Sequence, residues 1–317
     1  MDEYLPKYCT IGSSLIVENK REEFDESELC WMDGGLYNKD FTVLYKCESR
    51  KERFVVPKSV KRINDNAFYD CKDLSILELP NDLEFIGANV FCNNKLDTLF
   101  LPDSVRGIGQ NLISDVNNIV ISETNPYYFY EKGLLLNREK TVILECNKWN
   151  TVVVVPSTVK EIGDGSFEQC SNLISVEIPE SVEKIKEFAF MECRNLKAIN
   201  LPLNLEVLSE SVFSGCRKLK DITIPCSVKS IEELAFWSCC RLRSVVIPRS
   251  VEVICSEAFL DCKGLISITI LNPNIEVKTY AFNELSQNAV IYIPKNSKQL
   301  EKALRLSEYK GLIKELI

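Results

Sequence analysis

Apolar positions along this chain recur in one order every 23 residues. The unit reads Pro-x-x-Val-x-x-Ile-x-x-x-Ala-Phe-x-x-Cys-x-x-Leu-x-x-Ile-x-Ile, and its clearest copies cover 179–201, 225–247 and 248–270. Pro156, Pro179, Pro202, Pro225 and Pro248 keep the 23-residue step, as do Pro57 and Pro80, while Pro102 comes one residue early. The apolar pairs that close each unit (Ile199 and Leu201, Ile222 and Ile224, Val245 and Ile247) lie two apart and so point to one side of a strand. Proline directly after them removes a backbone donor and ends the ladder. The Val-x-x-Ile step, as in Val182/Ile185, Val228/Ile231 and Val251/Ile254, predicts a second short extended segment. The Ala-Phe pair that follows predicts a short helical turn.

A unit of this length cannot bury its own apolar side, so units must stack and share one core. The period and the Leu-x-x-Ile-x-Ile core lie in the leucine-rich repeat range. The expected fold class is a β-rich solenoid: a leucine-rich repeat stack of 23-residue coils with short helical turns, two inserted β-hairpins and a small C-terminal helical cap. Cys170, Cys193, Cys216, Cys239 and Cys262 also keep the 23-residue step, with Cys71 in register in the first unit. An unbroken column offers no pairing rule, so the expectation is a ladder of free, buried thiols acting as small apolar groups.

Two stretches interrupt the period and resemble each other: Asn38 to Cys47 and Asn137 to Cys146. Each has a glycine just upstream (Gly35, Gly133) and a proline ten residues after the cysteine (Pro57, Pro156), and each reads as a hairpin. The expected layout is therefore 1–32 as an N-terminal cap or leader, 33–56 as a first hairpin and 57–121 as coils 1–3. A second hairpin insertion follows at 122–155, then coils 4–9 at 156–294 and a C-terminal cap at 295–317. The third coil keeps Val105, Ile108 and Ile113 but is three residues short before Val116. In the cap, Ser297 is placed to start a helix over Lys298 to Glu308, with Leu300, Leu304 and Leu306 on or near one side, and Leu312 to Ile317 to close the stack as a strand.

The segments Pro179 to Cys193 and Pro225 to Cys239 resemble the BspA-like leucine-rich repeat family. The Asn-Pro-Tyr start at Asn125 with its Gly-Leu-Leu hairpin, and the closing Ile293-Pro-Lys-Asn-Ser297, are similar to that family too. The resemblance covers roughly 33–317 and implies a repeat fold. Members are often surface or secreted proteins of gut and oral bacteria or of protozoa, some of them adhesins for host proteins, so a surface or secreted location is implied. Met1-Asp-Glu-Tyr4 departs from that pattern, having neither the basic residues nor the apolar core of a secretory signal. As written, the chain would stay in the cytoplasm.

Composition narrows the chemistry. The net charge is −8, from 46 acidic and 38 basic residues, which argues against nucleic acid as partner because phosphate binding rests on Lys and Arg. No apolar run approaches the roughly 20 residues of a membrane span. The chain has no histidine, hence no Ser-His or Cys-His pair and no imidazole ligand. No Cys-x-x-Cys occurs among its 14 cysteines, and Gly163-Asp-Gly165 lacks the context of a phosphate loop. The expectation is no enzyme, no cofactor and no metal, but a monomer that presents a surface to a protein partner.

Two charged columns follow from stacking. Asp65, Asp164, Glu187, Glu210 and Glu233 form an acidic stripe. Arg194, Lys197, Arg217, Lys218, Lys220, Arg241, Arg243 and Lys263, just after the cysteine column, form a basic patch that is the first candidate for partner binding. Tyr127 and Tyr128, in the run Tyr127-Tyr-Phe-Tyr130, are the second, since exposed tyrosines anchor interfaces. Exposed hairpin aromatics would also suit the alternative of a carbohydrate- or matrix-binding surface protein.

Overall fold

A computed structural model describes residues 28–113 and 115–316. It divides into two compact units, Met1–Tyr127 and Tyr128–Ile317. The expected cap or leader at 1–32 lies mostly outside the described residues.

The first unit opens with an antiparallel meander of Leu29–Met32, Gly35–Asn38 and Val43–Cys47. Its third strand starts a parallel ladder of short strands, Arg62–Ile63, Phe85–Ile86 and Gly107–Ile108. The hairpin expected from residue 33 thus has a further strand, beginning at Leu29, and serves as the first rung of the stack rather than as an insertion. Longer strands pair separately, Arg53–Val55 with Ile76–Glu78 and Thr98–Leu101 with Asn118–Ile121.

The second unit repeats the plan. Tyr128–Glu131, Leu134–Asn137 and Val142–Cys146 form the meander, and the last of these pairs in parallel with Glu161–Ile162, which pairs with Lys184–Ile185. The two meanders are alike for a chemical reason. The Asn38 side chain accepts the N–H groups of Thr42 and Val43 at 2.8 and 2.9 Å. Asn137 accepts those of Thr141 and Val142 at the same two distances. An Asn side chain replacing a backbone partner sets the turn in both.

Beyond Ile185 the short-strand ladder stops, and it resumes as Val207–Leu208, Ser230–Ile231, Val253–Ile254 and Glu276–Val277. The long strands break at the same level: Val152–Val154, Ser175–Glu177 and Ala198–Ile199 form one sheet. Ser244–Ile247, Ser267–Ile270, Val290–Ile293 and Leu312–Glu315 form another. Up to Val290–Ile293 the register of these sheets follows the sequence period, with Val245 opposite Ile268 and Ile247 opposite Ile270.

The segment holding Ala-Phe is a run of turns, not a helix. Left-handed residues occur there in pairs four apart: Gly165 and Gln169, Phe188 and Glu192, Ser211 and Gly215, Leu234 and Ser238, Glu257 and Asp261. A residue at positive φ every fourth position prevents helix propagation. Alternate N–H groups are turned towards the next coil instead. Phe188, Phe190 and Glu192 donate to the carbonyls of Glu210, Val212 and Ser214 at 2.9, 3.0 and 2.7 Å, while Met191 and Cys193 close local turns on Phe188 and Phe190. Every backbone donor of Phe188 to Cys193 is thereby satisfied, as burial requires.

Behind this third ladder lies the core. Phe167, Phe190, Phe213, Phe236, Phe259 and Phe282 are fully buried and stack face to face with centroids 4.9, 5.7, 5.5, 5.0 and 5.3 Å apart. The cysteine column is buried and free of disulfides. It does more than fill space: the thiols of Cys193, Cys216, Cys239 and Cys262 donate to the carbonyls of Phe167, Phe190, Phe213 and Phe236, one coil back, at 3.0–3.2 Å. Burial pushes these thiols well above their ordinary range, so they remain protonated donors.

At the end of the stack, the helix Lys298–Leu306 buries Leu300 and Leu304. Leu306, expected near the same side, is 71% exposed, because residues 300 and 304 share a helical face and 306 turns off it. Ser297 precedes the helix, but its side chain makes no capping bond. Tyr309 closes the ring stack edge-on, 6.4 Å from Phe282, and its hydroxyl donates to the Ala289 carbonyl at 3.0 Å. No helix among the described residues is long and apolar enough to cross a membrane.

Candidate partner-binding surface

The basic residues stand where the chain leaves the cysteine turn and enters the long strand. Arg194, Lys197, Arg217, Lys220, Arg241, Arg243 and Lys263 are exposed, and Lys218 is half-buried. Three adjacent columns hold them at the repeat interval: Arg194 over Arg217 and, after Cys240, Lys263; Lys218 over Arg241; and Lys197 over Lys220 over Arg243. Arg194 and Lys263 are ion-paired within their own turns, to Glu192 at 2.6 Å and to Asp261 at 2.5 Å. The other six form no ion pair among the described residues, and five of them are exposed, although Arg217 is near enough to Asp261 to interact with its charge. The patch is thus narrower than the column of eight, with its open charge on coils 179–201, 202–224 and 225–247.

The acidic stripe behaves differently. Glu187, Glu210 and Glu233 line a shallow groove of about 350 Å³ with Val207, Ser209, Glu232 and Cys255. Burial, then the charges of Glu233, Glu187 and Glu232, hold Glu210 above the usual carboxylate range. Burial and a 3.3 Å bond to Glu232 push the Cys255 thiol up to about 11. Cys255 and Glu232 escaped the reading of the stripe although they are 23 residues apart, the signal that would have found them. Asp65, in the first unit, is a structural carboxylate that accepts the Ala88 N–H at 2.8 Å.

The aromatic candidate does not hold together. Tyr128 is fully buried in the strand Tyr128–Glu131, where alternation turns its side chain inward, and this removes it as a contact residue. Tyr127 is exposed, Phe129 lies under the Lys140 ammonium at 3.4 Å, and burial raises the Tyr130 hydroxyl.

Parallel strands stacked at a fixed 23-residue register around a Phe and Cys interior define a leucine-rich repeat solenoid. The chain belongs to the BspA-type leucine-rich repeat family, whose profile matches in six copies over 41–131, 144–266 and 230–304. It is similar to a leucine-rich cell surface protein of Faecalibacterium prausnitzii, at 30% identity and a TM-score of 0.60 over 69% of this chain and 59% of that one. The chain therefore spans less than two thirds of that protein's length. A leucine-rich repeat protein of Eubacterium ventriosum (18% identity, TM-score 0.56, covering 80% of this chain and 92% of that one) shares the fold. So does the pneumococcal vaccine antigen PcpA, at 20% identity and a TM-score of 0.55 over 84% and 68% of the two chains. No curated protein sequence matches the chain.

Proposed function

We propose that this chain is a non-catalytic module that binds a protein partner through the basic patch of its second unit. The carrying observation is the set of six cations, Lys197, Arg217, Lys218, Lys220, Arg241 and Arg243, stacked on three coils without an ion pair among the described residues. Like charges held one coil apart repel one another, and a partner carrying carboxylates relieves that repulsion. A cell-surface location is proposed with it, since the relative of 30% identity is a cell surface protein. The test is affinity capture followed by mass spectrometry, using the protein and a variant with Arg217, Arg241 and Arg243 changed to Glu. The expected result is a partner recovered by the former and lost from the latter. Equal recovery by both sinks the reading.

A further inference from the structure

One position of five successive coils carries Ile174, Lys197, Lys220, Arg243 and Ile266, and all five reach solvent. The row is basic in the middle and apolar at its ends, where Ile174 is 38% and Ile266 50% exposed. Backbone bonds tie the row on either side of the step from Lys197 to Lys220, where the strand ladder is interrupted: the N–H of Lys197 donates to Ile174, that of Arg243 to Lys220, and that of Ile266 to Arg243, at 2.8, 3.3 and 3.0 Å. Beside it the next position carries Ser175, Ala198, Ser244 and Ser267, side chains short enough for another backbone to lie close, with Asp221 the one exception.

The step along the row identifies what fits it. The rings buried inside the same coils step by 4.9, 5.7, 5.5 and 5.0 Å, and paired strands such as those beside the row step by about 4.8 Å. An α-helix advances about 5.4 Å per turn, so a helix laid along the stack keeps one side chain over each coil for the whole row. An extended chain repeats on one face every ~6.6 Å and falls out of phase within two coils.

We propose that this row seats a single α-helix of a partner protein, lying along the stack, with an apolar residue, three carboxylates and an apolar residue on successive turns. The proposal rests on the protein-binding reading above and adds the shape and chemistry of the partner.

The test uses a labelled synthetic peptide of about 18 residues, Ala- and Gln-rich, carrying Leu, Glu, Glu, Glu and Leu on successive turns of one face. Its control has the same charge and composition except for two central prolines, which prevent the helix. Heparin is the non-peptide polyanion. Fluorescence anisotropy with the full chain is expected to show the helical peptide binding at least about ten-fold tighter than the proline control, and losing about ten-fold on Lys220→Glu with Arg243→Glu. Both substitutions are at exposed positions, and an unchanged thermal midpoint of the variant shows that the loss is local. Equal binding of the two peptides, tighter binding of heparin, or binding of neither peptide each overturns the helical seat. If neither peptide binds while affinity capture still recovers a protein dependent on Arg217, Arg241 and Arg243, the seat alone fails. If capture fails too, the protein-binding reading falls with it.

Discussion

In the second unit, the turn edge and the two strand edges of the coils meet the junction between 179–201 and 202–224 differently. Along the strand edges the main-chain ladder is interrupted there. Where Lys186, Glu232, Cys255 and Lys278 each donate an N–H to the coil before, at 2.8–3.0 Å, the matching contact is made by the Ser209 hydroxyl to the Ile185 carbonyl at 2.6 Å. On the long-strand side, residues 221–224 form no strand, and the Asn200 side chain turns the other way, bonding the N–H and the carbonyl of Ile178 in the coil before at 3.0 and 2.6 Å. The turn edge crosses the same junction with its three bonds, its ring pair at 5.7 Å and its Cys216 thiol on the Phe190 carbonyl all in place. Continuity of this unit thus resides in the turns and rings, while its sheets tolerate a gap that the Ser209 hydroxyl bridges on the short-strand side.

The largest expected effect tests the thiols of that edge. Folded Cys193, Cys216, Cys239 and Cys262 hold their protons to higher pH than the unfolded thiol, whose ordinary value is 9.0. Below that value both states are protonated and the stabilisation is complete. Above it the unfolded chain binds fewer protons than the folded one, and stability falls by about 1.4 kcal/mol per pH unit for each buried thiol. Urea unfolding followed by circular dichroism between pH 8 and pH 10 is expected to show this steep loss. Changing Cys193, Cys216 and Cys239 to Ala should flatten it, and an unchanged slope would remove the thiols from the account.

Next in size is the ring stack. Phe213→Ala opens a cavity on the turn edge at the interrupted junction and is expected to cost about 3–5 kcal/mol. Ile222→Ala, on the strand edge of the same coil, should cost about 2 kcal/mol. Equal urea midpoints for the two variants would break the comparison.

A smaller pair of opposite sign concerns the left-handed positions. Gly215→Ala places a Cβ at φ +72° against the Glu192 side chain and backbone and should destabilise by about 1–2 kcal/mol. Leu234→Asn puts a residue tolerant of that conformation at φ 56° and should stabilise by up to about 1 kcal/mol, read as a rise in melting temperature. The smallest effect is dynamic. Hydrogen exchange is expected to be faster at the amides of Ile222 and Ile224 than at Val245 and Ile247, whose strand is paired in the ladder. Matching protection would mean that the gap in the ladder has no consequence for motion.

Much of this architecture is written in spacing. A 23-residue interval between apolar residues places Phe over Phe and Cys over Cys in any stacked arrangement, so the core columns, the paired strands and the charged columns were all readable from the chain. The left-handed pairs were half readable. Asn66, Asn89 and Gly165 are types that accept positive φ, but Phe188, Leu234 and Tyr280 at equivalent positions disguise the pattern. At Phe188 and Leu234 hydrogen bonds to the next coil, and at Tyr280 one to the Ser307 carbonyl just after the closing helix, outweigh the local preference of the residue.

Other features depended on what a neighbour contributes rather than on the residue itself. Tyr128 is buried because its strand turns it inward, Arg194 and Lys263 are neutralised by carboxylates two residues before them, and at 202–224 the Ser209 hydroxyl takes the place of a main-chain donor of the ladder. Periodicity along a chain records which residues must meet across coils, because the same contact is required at every turn of the stack. Which donor satisfies a given carbonyl, and which charge is left open to a partner, is a competition between groups brought together only when the coils pack.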